Sequence, residues 1–296
     1  MSHHIVHIFN HGSKLKKVRG MMICRNDGED EVHEIPLEDI LAVIIAAKGV
    51  YLSLELVRAL IETGAIILHC DHKYCPLGIT AGIERIIKGD ALYNQANSKL
   101  KLHDRLWNKI VDSKVNNQTC LLEIYKLNSA FLRRELKRTS VNESACSRFY
   151  WNLYFSLFSN ETIYRHKSDS EGLNARLDYG YAVLRALLHR SIIVHGLSPV
   201  FGIHHIPRYH SHAFVYDLME PWRPYVDKML VDYWKISGNK EDMNLWARYV
   251  SGKLIEEKIF ISGRNFKLLD AVDIFVSGIA KCYHGKTVRY AWMPAL

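Results

Sequence analysis

The sequence predicts an α+β protein, with a small β-rich N-terminal domain over residues 1–85 and an all-α C-terminal domain over residues 86–296. Short β-branched runs separated by turn residues fill the chain up to Cys70. From Ala91 onward, apolar residues recur at helical spacing instead. With 48% hydrophobic residues over 296 positions, each part has the material for its own core.

The predicted strands are Ile5 to Phe9, Val18 to Cys24, Val32 to Ile35, Leu41 to Ala46, Val50 to Leu52 and Ala65 to Cys70. Asn26-Asp27-Gly28 reads as a turn of residues that tolerate positive φ, and Lys48-Gly49 as a tight connection. One helix interrupts the series from Ser53 to Thr63, with Ser53 as N-cap and Gly64 just past its end. Exposed strand edges in this domain offer a surface for dimer contacts. The turn-forming segment from His69 to Gly82 marks the approach to the domain boundary. Helices are predicted at 91–115, 118–139, 142–158, 175–194, 212–234, 241–252 and 268–283.

A formal net charge of +8 and a pI near 9.1 favour a polyanionic partner. The six cysteines are too scattered for a disulfide scaffold, and the expected compartment is a reducing cytoplasm. No basic n-region followed by an apolar h-region opens the chain, and no run approaches a membrane span, so no membrane role is expected.

Chemistry-bearing residues concentrate between Gly196 and Asp227, which hold four histidines, Arg208, Asp217, Glu220 and Arg223. On a helix, Asp217 and Glu220 project from one face about 5–6 Å apart, a spacing at which both could approach one hard cation. Pro221 and Pro224 predict a bent or broken helix there, because a proline leaves the carbonyl four residues earlier without its donor. The stretch lacks cysteines and a His-Glu-x-x-His string, so Mg2+ or Mn2+ suits it better than zinc. His69, Cys70, His72 and Cys75 form a second cluster that lacks the partner pair of a zinc site. No Walker A string, Rossmann fingerprint or serine or cysteine nucleophile motif is present.

Two basic groups could follow a phosphate backbone: Lys101, Arg105 and Lys109, which also read as the solvated face of an amphipathic helix, and Arg134, Lys137, Arg138 and Arg148 around Glu143. Read locally, Ser140-Val-Asn-Glu143 fits a capping box, which gives Glu143 a structural role.

Three blocks stand out together: Asn142-Glu-Ser-Ala-Cys-Ser-Arg-Phe-Tyr-Trp151, Asn174-Ala-Arg-Leu-Asp-Tyr-Gly-Tyr-Ala-Val-Leu-Arg-Ala186, and Gly202-Ile-His-His-Ile-Pro-Arg208 followed by Tyr216-Asp-Leu-Met-Glu-Pro-Trp-Arg-Pro224. Read as a set, they resemble the CRISPR-associated integrases of spacer acquisition, the Cas1 family. With the order of the two domains, the resemblance covers essentially the whole chain. It implies that Glu143, His205 and Glu220 hold one divalent metal, Mg2+ or Mn2+, with Asp217 at a second acidic position beside it. His204 competes for the histidine role, and the offset of three from Gly202 favours His205.

The resemblance further implies metal-assisted transesterification, in which the 3′-hydroxyl of prespacer DNA attacks a phosphodiester at a CRISPR repeat boundary. It also implies endonuclease action on branched DNA, a homodimer and a small companion, Cas2. Arg134, Lys137, Arg138, Arg208 and Arg223 become the candidate DNA contacts. Ser144 stands where glycine is common, Asp178 where asparagine is frequent and Glu220 where many relatives carry aspartate; the last block looks closest to the type II branch. A purely hydrolytic DNA nuclease and a non-catalytic DNA-binding scaffold are the alternatives.

Overall fold

The structure, a computed structural model of the 296-residue chain, describes residues 4–26, 32–70, 76–83, 89–158, 165–166, 172–206, 208, 212–237 and 242–296. It divides into two compact units, Met1–Ile87 and Lys88–Leu296.

The first unit holds strands β1 (His4–Ile8), β2 (Lys14–Val18), β3 (Met21–Arg25), β4 (Val32–Pro36), β5 (Ile40–Ile45), β6 (Tyr51–Leu52), β7 (Ile66–Cys70) and β8 (Pro76–Thr80), with one helix, α1 (Leu54–Thr63). They form two four-stranded sheets, ordered β1-β5-β7-β8 and β4-β3-β2-β6. All six residues of β5 are buried, and β5 pairs in parallel with both β1 and β7. A continuous apolar run without alternation is what a strand covered on both faces requires. Helix α1 begins and ends as the sequence predicts. The Ser53 hydroxyl accepts the Leu56 N–H at 3.2 Å, and Gly64 adopts φ +81°. Its Leu56, Ala59 and Leu60 join Leu15, Met22, Val43 and Ile67 in one core.

Two strand expectations are corrected, and one connection is placed. Val18 to Cys24 is not one strand: Arg19 (φ 46°) and Gly20 (φ 82°) turn the chain between β2 and β3. Lysines at 14, 16 and 17 masked β2, whose outward positions are polar. Strand β8 lies within the His69 to Gly82 segment, where no strand is expected, and pairs antiparallel with β7. Lys48-Gly49 joins strands of different sheets, since β6 pairs in parallel with β2. The predicted turn at Asp27-Gly28 lies outside the described residues, as do His72 and Cys75.

The second unit holds α2 (Gly89–Ala96), α3 (Leu100–Ile124), α4 (Ala130–Glu135), α5 (Glu143–Phe155), α6 (Gly172–Val194), α7 (Ala213–Met219), α8 (Arg223–Ser237), α9 (Met243–Glu256) and α10 (Leu268–Gly285). The expected helix at 91–115 is broken near Ser98, whose hydroxyl donates to the Gln95 carbonyl at 2.7 Å. The next expected break, after Val115, is absent, because α3 runs on to Ile124. It stops at Lys126 (φ 58°), with Leu127 N–H returning to the Leu122 carbonyl at 2.7 Å. This C-terminal signature usually carries glycine, which is why sequence hid it. The unit is not all helical either: β9 (Lys258–Ile261) and β10 (Arg264–Lys267) form a hairpin around Ser262 (φ 52°) and Gly263 (φ 82°). Among the described residues, no helix is long and apolar enough to cross a membrane.

Helices α5, α6 and α8 enclose a buried carboxylate, Asp227. The Tyr150 hydroxyl donates to it at 2.6 Å, the Tyr181 hydroxyl donates to its other oxygen, and the Tyr154 hydroxyl donates to its backbone carbonyl at 3.0 Å. Burial pushes the Asp227 carboxyl up, the tyrosine donors, Arg223 and Arg165 pull it back, and it comes to rest at about 6. The unfolded chain releases this proton near the ordinary value of 3.8, so the native state binds the extra proton in between. Stability contributed here therefore falls as pH rises from about 4 to 6. Asp227→Asn, which cannot ionise, should lose that dependence. Urea unfolding of both proteins at pH 4.5 and 7 should show the variant gaining on wild type at the higher pH; a difference constant with pH would refute the assignment.

Candidate active site

Helix α5 starts at Glu143, two residues later than a Ser140 cap would place it. The Asn142 side chain accepts the Ala145 N–H at 3.1 Å, so Asn142 is the N-cap and Glu143 is the first helical residue. The capping-box reading of Ser140 and Glu143 is therefore corrected. With the cap supplied by Asn142, the Glu143 carboxylate turns to Lys114 of α3, whose Nζ lies 2.7 Å from Oε1.

Lys114 also meets the other glutamate, Glu220, at 2.5 Å. The route to that contact is the break that Pro221 causes. Proline has no N–H to offer the Asp217 carbonyl, which instead takes the Glu220 N–H, and the chain tightens into a 3-10 turn over Glu220–Trp222. Asn117 of α3 secures the turn, its amide donating to the Pro221 carbonyl at 2.9 Å. Glu220 Oε1 takes Arg223 Nε at 2.9 Å, and Oε2 faces Lys114. Burial pushes the Glu220 carboxyl up, but Arg223 and Lys114 outweigh it and hold it at about 2. Burial lowers the Lys114 ammonium, yet Glu220 and Glu143 together carry it above its ordinary value.

The histidine loop is organised by Asp217, which is fully buried. Its Oδ2 accepts the backbone N–H of Ile203 at 2.5 Å and of His204 at 2.9 Å. Its Oδ1 accepts the His205 N–H at 3.2 Å and pairs with the His205 ring Nδ1 at 2.5 Å. So tight a turn needs Gly202: a Cβ there would lie 2.3 Å from the His205 carbonyl and 3.0 Å from Asp217 Oδ2. Gln95 of α2, also buried, bonds the same loop, donating to the Ser198 and Phe201 carbonyls and accepting the Ser198 N–H at 2.7 Å.

The two histidines are now distinct. Trp107 of α3 stacks on His204 with centroids 4.3 Å apart, whereas His205 meets Trp107 edge-on and is held by Asp217. The Asp217 hydrogen bond raises the His205 pKa, with burial opposing it and the nearby Glu220 charge adding to it.

The helical spacing of Asp217 and Glu220 suggested one shared cation; the structure gives them different partners. Both Asp217 oxygens serve the loop and His205, and only Glu220 joins Glu143 at the ammonium. Arg223 is ion-paired to Glu220 and lies 4.8 Å above the Tyr181 ring. Arg134, Lys137 and Arg208 are exposed, with Arg134 over Phe131, and Arg138 pairs with Glu135. Lys101, Arg105 and Lys109 line an exposed face of α3, and Arg148 is exposed on α5.

The family model for CRISPR associated protein Cas1 matches residues 6–243. The chain belongs to the Cas1 family. It is 28% identical over 295 residues to the CRISPR-associated endonuclease Cas1 of Neisseria meningitidis serogroup C, covering 98% of this chain and 95% of that relative. Among solved structures, a casposase bound to integration product has the same fold with a TM-score of 0.80 at 18% identity, covering 98% of this chain and 93% of the other. A chain of a Cas6-RT-Cas1–Cas2 complex follows at TM-score 0.72 and 15% identity, covering 98% of this chain and 36% of the other.

For a Cas1 chain, the question is whether this donor set fits a divalent ion. Among the described residues, no three His, Cys, Asp or Glu side chains stand together as a formed metal cluster. Two carboxylates do converge on a cation, however, and it is the Lys114 ammonium. Glu220 Oε2 is buried there with no aligned hydrogen-bond donor, only that ion pair at 2.5 Å. Hard carboxylate oxygens already gathered around one positive charge fit Mg2+ or Mn2+. His205 can complete the set through Nε2, since a ring that gives Nδ1–H to a carboxylate carries its ligating lone pair on the other nitrogen. Sequence reasoning missed Lys114, Asn117, Gln95 and Trp107. The sequence carried no clear signal for them: Lys114, Asn117 and Gln118 sit in a largely polar run, residues 112–119, and only the structure shows that they are buried.

Proposed function

We infer that the chain is a divalent-cation-dependent DNA integrase and endonuclease of CRISPR adaptation, joining the 3′-hydroxyl ends of prespacer DNA to repeat boundaries. The observation that carries this reading is the meeting of Glu143 and Glu220, from separate elements, on one cation, with an Asp217-held histidine nearby. The family model and the relative named an endonuclease support nuclease chemistry, and the fold shared with an integration complex is compatible with strand joining.

Glu143, Glu220 and His205 would hold Mg2+ or Mn2+, which supplies polarisation of the scissile phosphate and charge stabilisation as the bond order shifts. Asp217 orients His205 and shapes the loop that carries it. Arg223 fixes Glu220 and keeps it ionised. The exposed Arg134, Lys137 and Arg208 are the phosphate contacts, with Arg138 beside them once it leaves Glu135. The DNA strand brings its own nucleophile, so the chain needs none. Its partners are DNA, a second copy of the chain through the strand edges of the first unit, and Cas2, within a reducing cytoplasm.

A labelled 3′-hydroxyl duplex and a repeat-bearing plasmid, incubated with the protein and its companion, test this directly. Label should become covalently attached to plasmid with Mn2+ or Mg2+ and remain unattached with chelator. Cleavage without attachment would identify a hydrolytic nuclease instead, and neither event with DNA binding intact would leave a scaffold.

A further inference from the structure

The geometry points to Lys114 as a built-in competitor for the divalent cation: its ammonium occupies the seat between Glu143 and Glu220 and must leave as the metal enters. This rests on the reading that these two glutamates are metal ligands. The contacts are close on both sides, 2.7 Å to Glu143 Oε1 and 2.5 Å to Glu220 Oε2, and the Lys114 side chain is only 10% exposed. Two carboxylates that share one monovalent charge at those distances cannot close around a second cation at the same oxygens while the first remains. Metal loading is therefore an exchange of cations, not the filling of an empty site.

Lysine suits an exchangeable role. Its charge is a point at the end of a flexible four-carbon stem, whereas the planar Arg223 guanidinium bonds the other Glu220 oxygen from three residues away and can stay in place. A polar cavity of about 120 Å3 lined by Trp107, Asn108, Asp112, Thr139, Ser140 and Glu143 opens beside the pair and gives the displaced ammonium, or the water around an incoming ion, somewhere to go. Without metal, the same ammonium keeps the two carboxylates from repelling each other. The chain thus holds its ligands gathered at the cost of weaker affinity for the ion.

Calorimetric titration of the full chain with Mn2+ alone, without DNA, tests the exchange. Lys114→Gln removes the competing charge and should tighten Mn2+ binding about tenfold or more. Lys114→Arg keeps the charge and adds a second carboxylate-matching donor, so its Mn2+ affinity should stay at or below wild type. The rise in melting temperature on adding Mn2+ gives a second readout, larger for Lys114→Gln than for wild type. Unchanged or weaker binding by Lys114→Gln, or tighter binding by Lys114→Arg, overturns the proposal; the arginine variant decides it if the glutamine variant does not fold. Glu143→Gln separates the underlying reading. It should abolish the Mn2+ binding seen in wild type, and retention of that binding would overturn the ligand assignment itself and the exchange with it.

Discussion

Glu143→Gln should reduce strand joining about a thousandfold or more while leaving duplex binding within about threefold. The loss follows from removing one of two carboxylates that converge on a cation, since such an ion contributes several kcal/mol of transition-state charge stabilisation and each 1.36 kcal/mol is tenfold in rate. The fold should survive. Asn142 caps α5 through its own side chain, the Glu143 side chain is about one-third exposed, and Lys114 keeps its contact with Glu220. DNA affinity should survive as well, because the exposed Arg134, Lys137 and Arg208 do not pass through Glu143. Gel-shift binding and covalent attachment of labelled duplex, measured on the same preparations, check both halves. Joining within tenfold of wild type would mean that Glu143 serves the helix and not the chemistry.

That outcome bears on what the chain reveals before it folds. Helix and strand identity came largely from periodicity, and the interruption at Pro221 from a single missing N–H. The same residue shows where sequence stops helping: it predicts a break but not the 3-10 turn that aims Glu220 at α3. Glu143 reads locally as the far end of a capping box on Ser140, whereas the cap is Asn142, because either side chain can accept an N–H and only the fold decides which one does. Lys114 and Arg223 are harder still. In sequence each is a charge on a helix, indistinguishable from Arg105 or Lys109, and their roles depend on burial against a carboxylate brought from elsewhere in the chain. The turn at Arg19-Gly20 and the end of α3 at Lys126 escaped because non-glycine residues there adopt positive φ. The family resemblance named Glu143, His205 and Glu220 together, but it placed Asp217 beside the metal without saying what that carboxylate does.

Asp217→Asn is the substitution that separates orientation from ligation. In the native loop Oδ2 takes two backbone N–H groups, and Oδ1 takes the His205 N–H and faces its ring Nδ1. An asparagine keeps one acceptor and converts the other into a donor. The amide oxygen will stay with Ile203 and His204, since the reverse flip sets NH2 against two buried N–H groups. The NH2 group then faces His205 and forces its Nδ1 to accept, which moves the ring proton to Nε2 and removes the lone pair that a cation needs. Folding should weaken by only about 1 kcal/mol, because the His205 N–H loses its Oδ1 acceptor and keeps only the longer 3.4 Å contact to the other oxygen, while strand joining and Mn2+ affinity fall about 10–100-fold, the usual range for a residue that acts through a metal-ligating histidine. Asp217→Ala should do worse by another route. Three backbone N–H groups lose their acceptor at a fully buried site, a destabilisation of about 3–5 kcal/mol that urea unfolding will register. Nitrogen NMR of the His205 ring in Asp217→Asn reports the tautomer directly. If the tautomer is unchanged and joining falls as far as in Glu143→Gln, Asp217 is itself a ligand, and the loop must open when the ion binds.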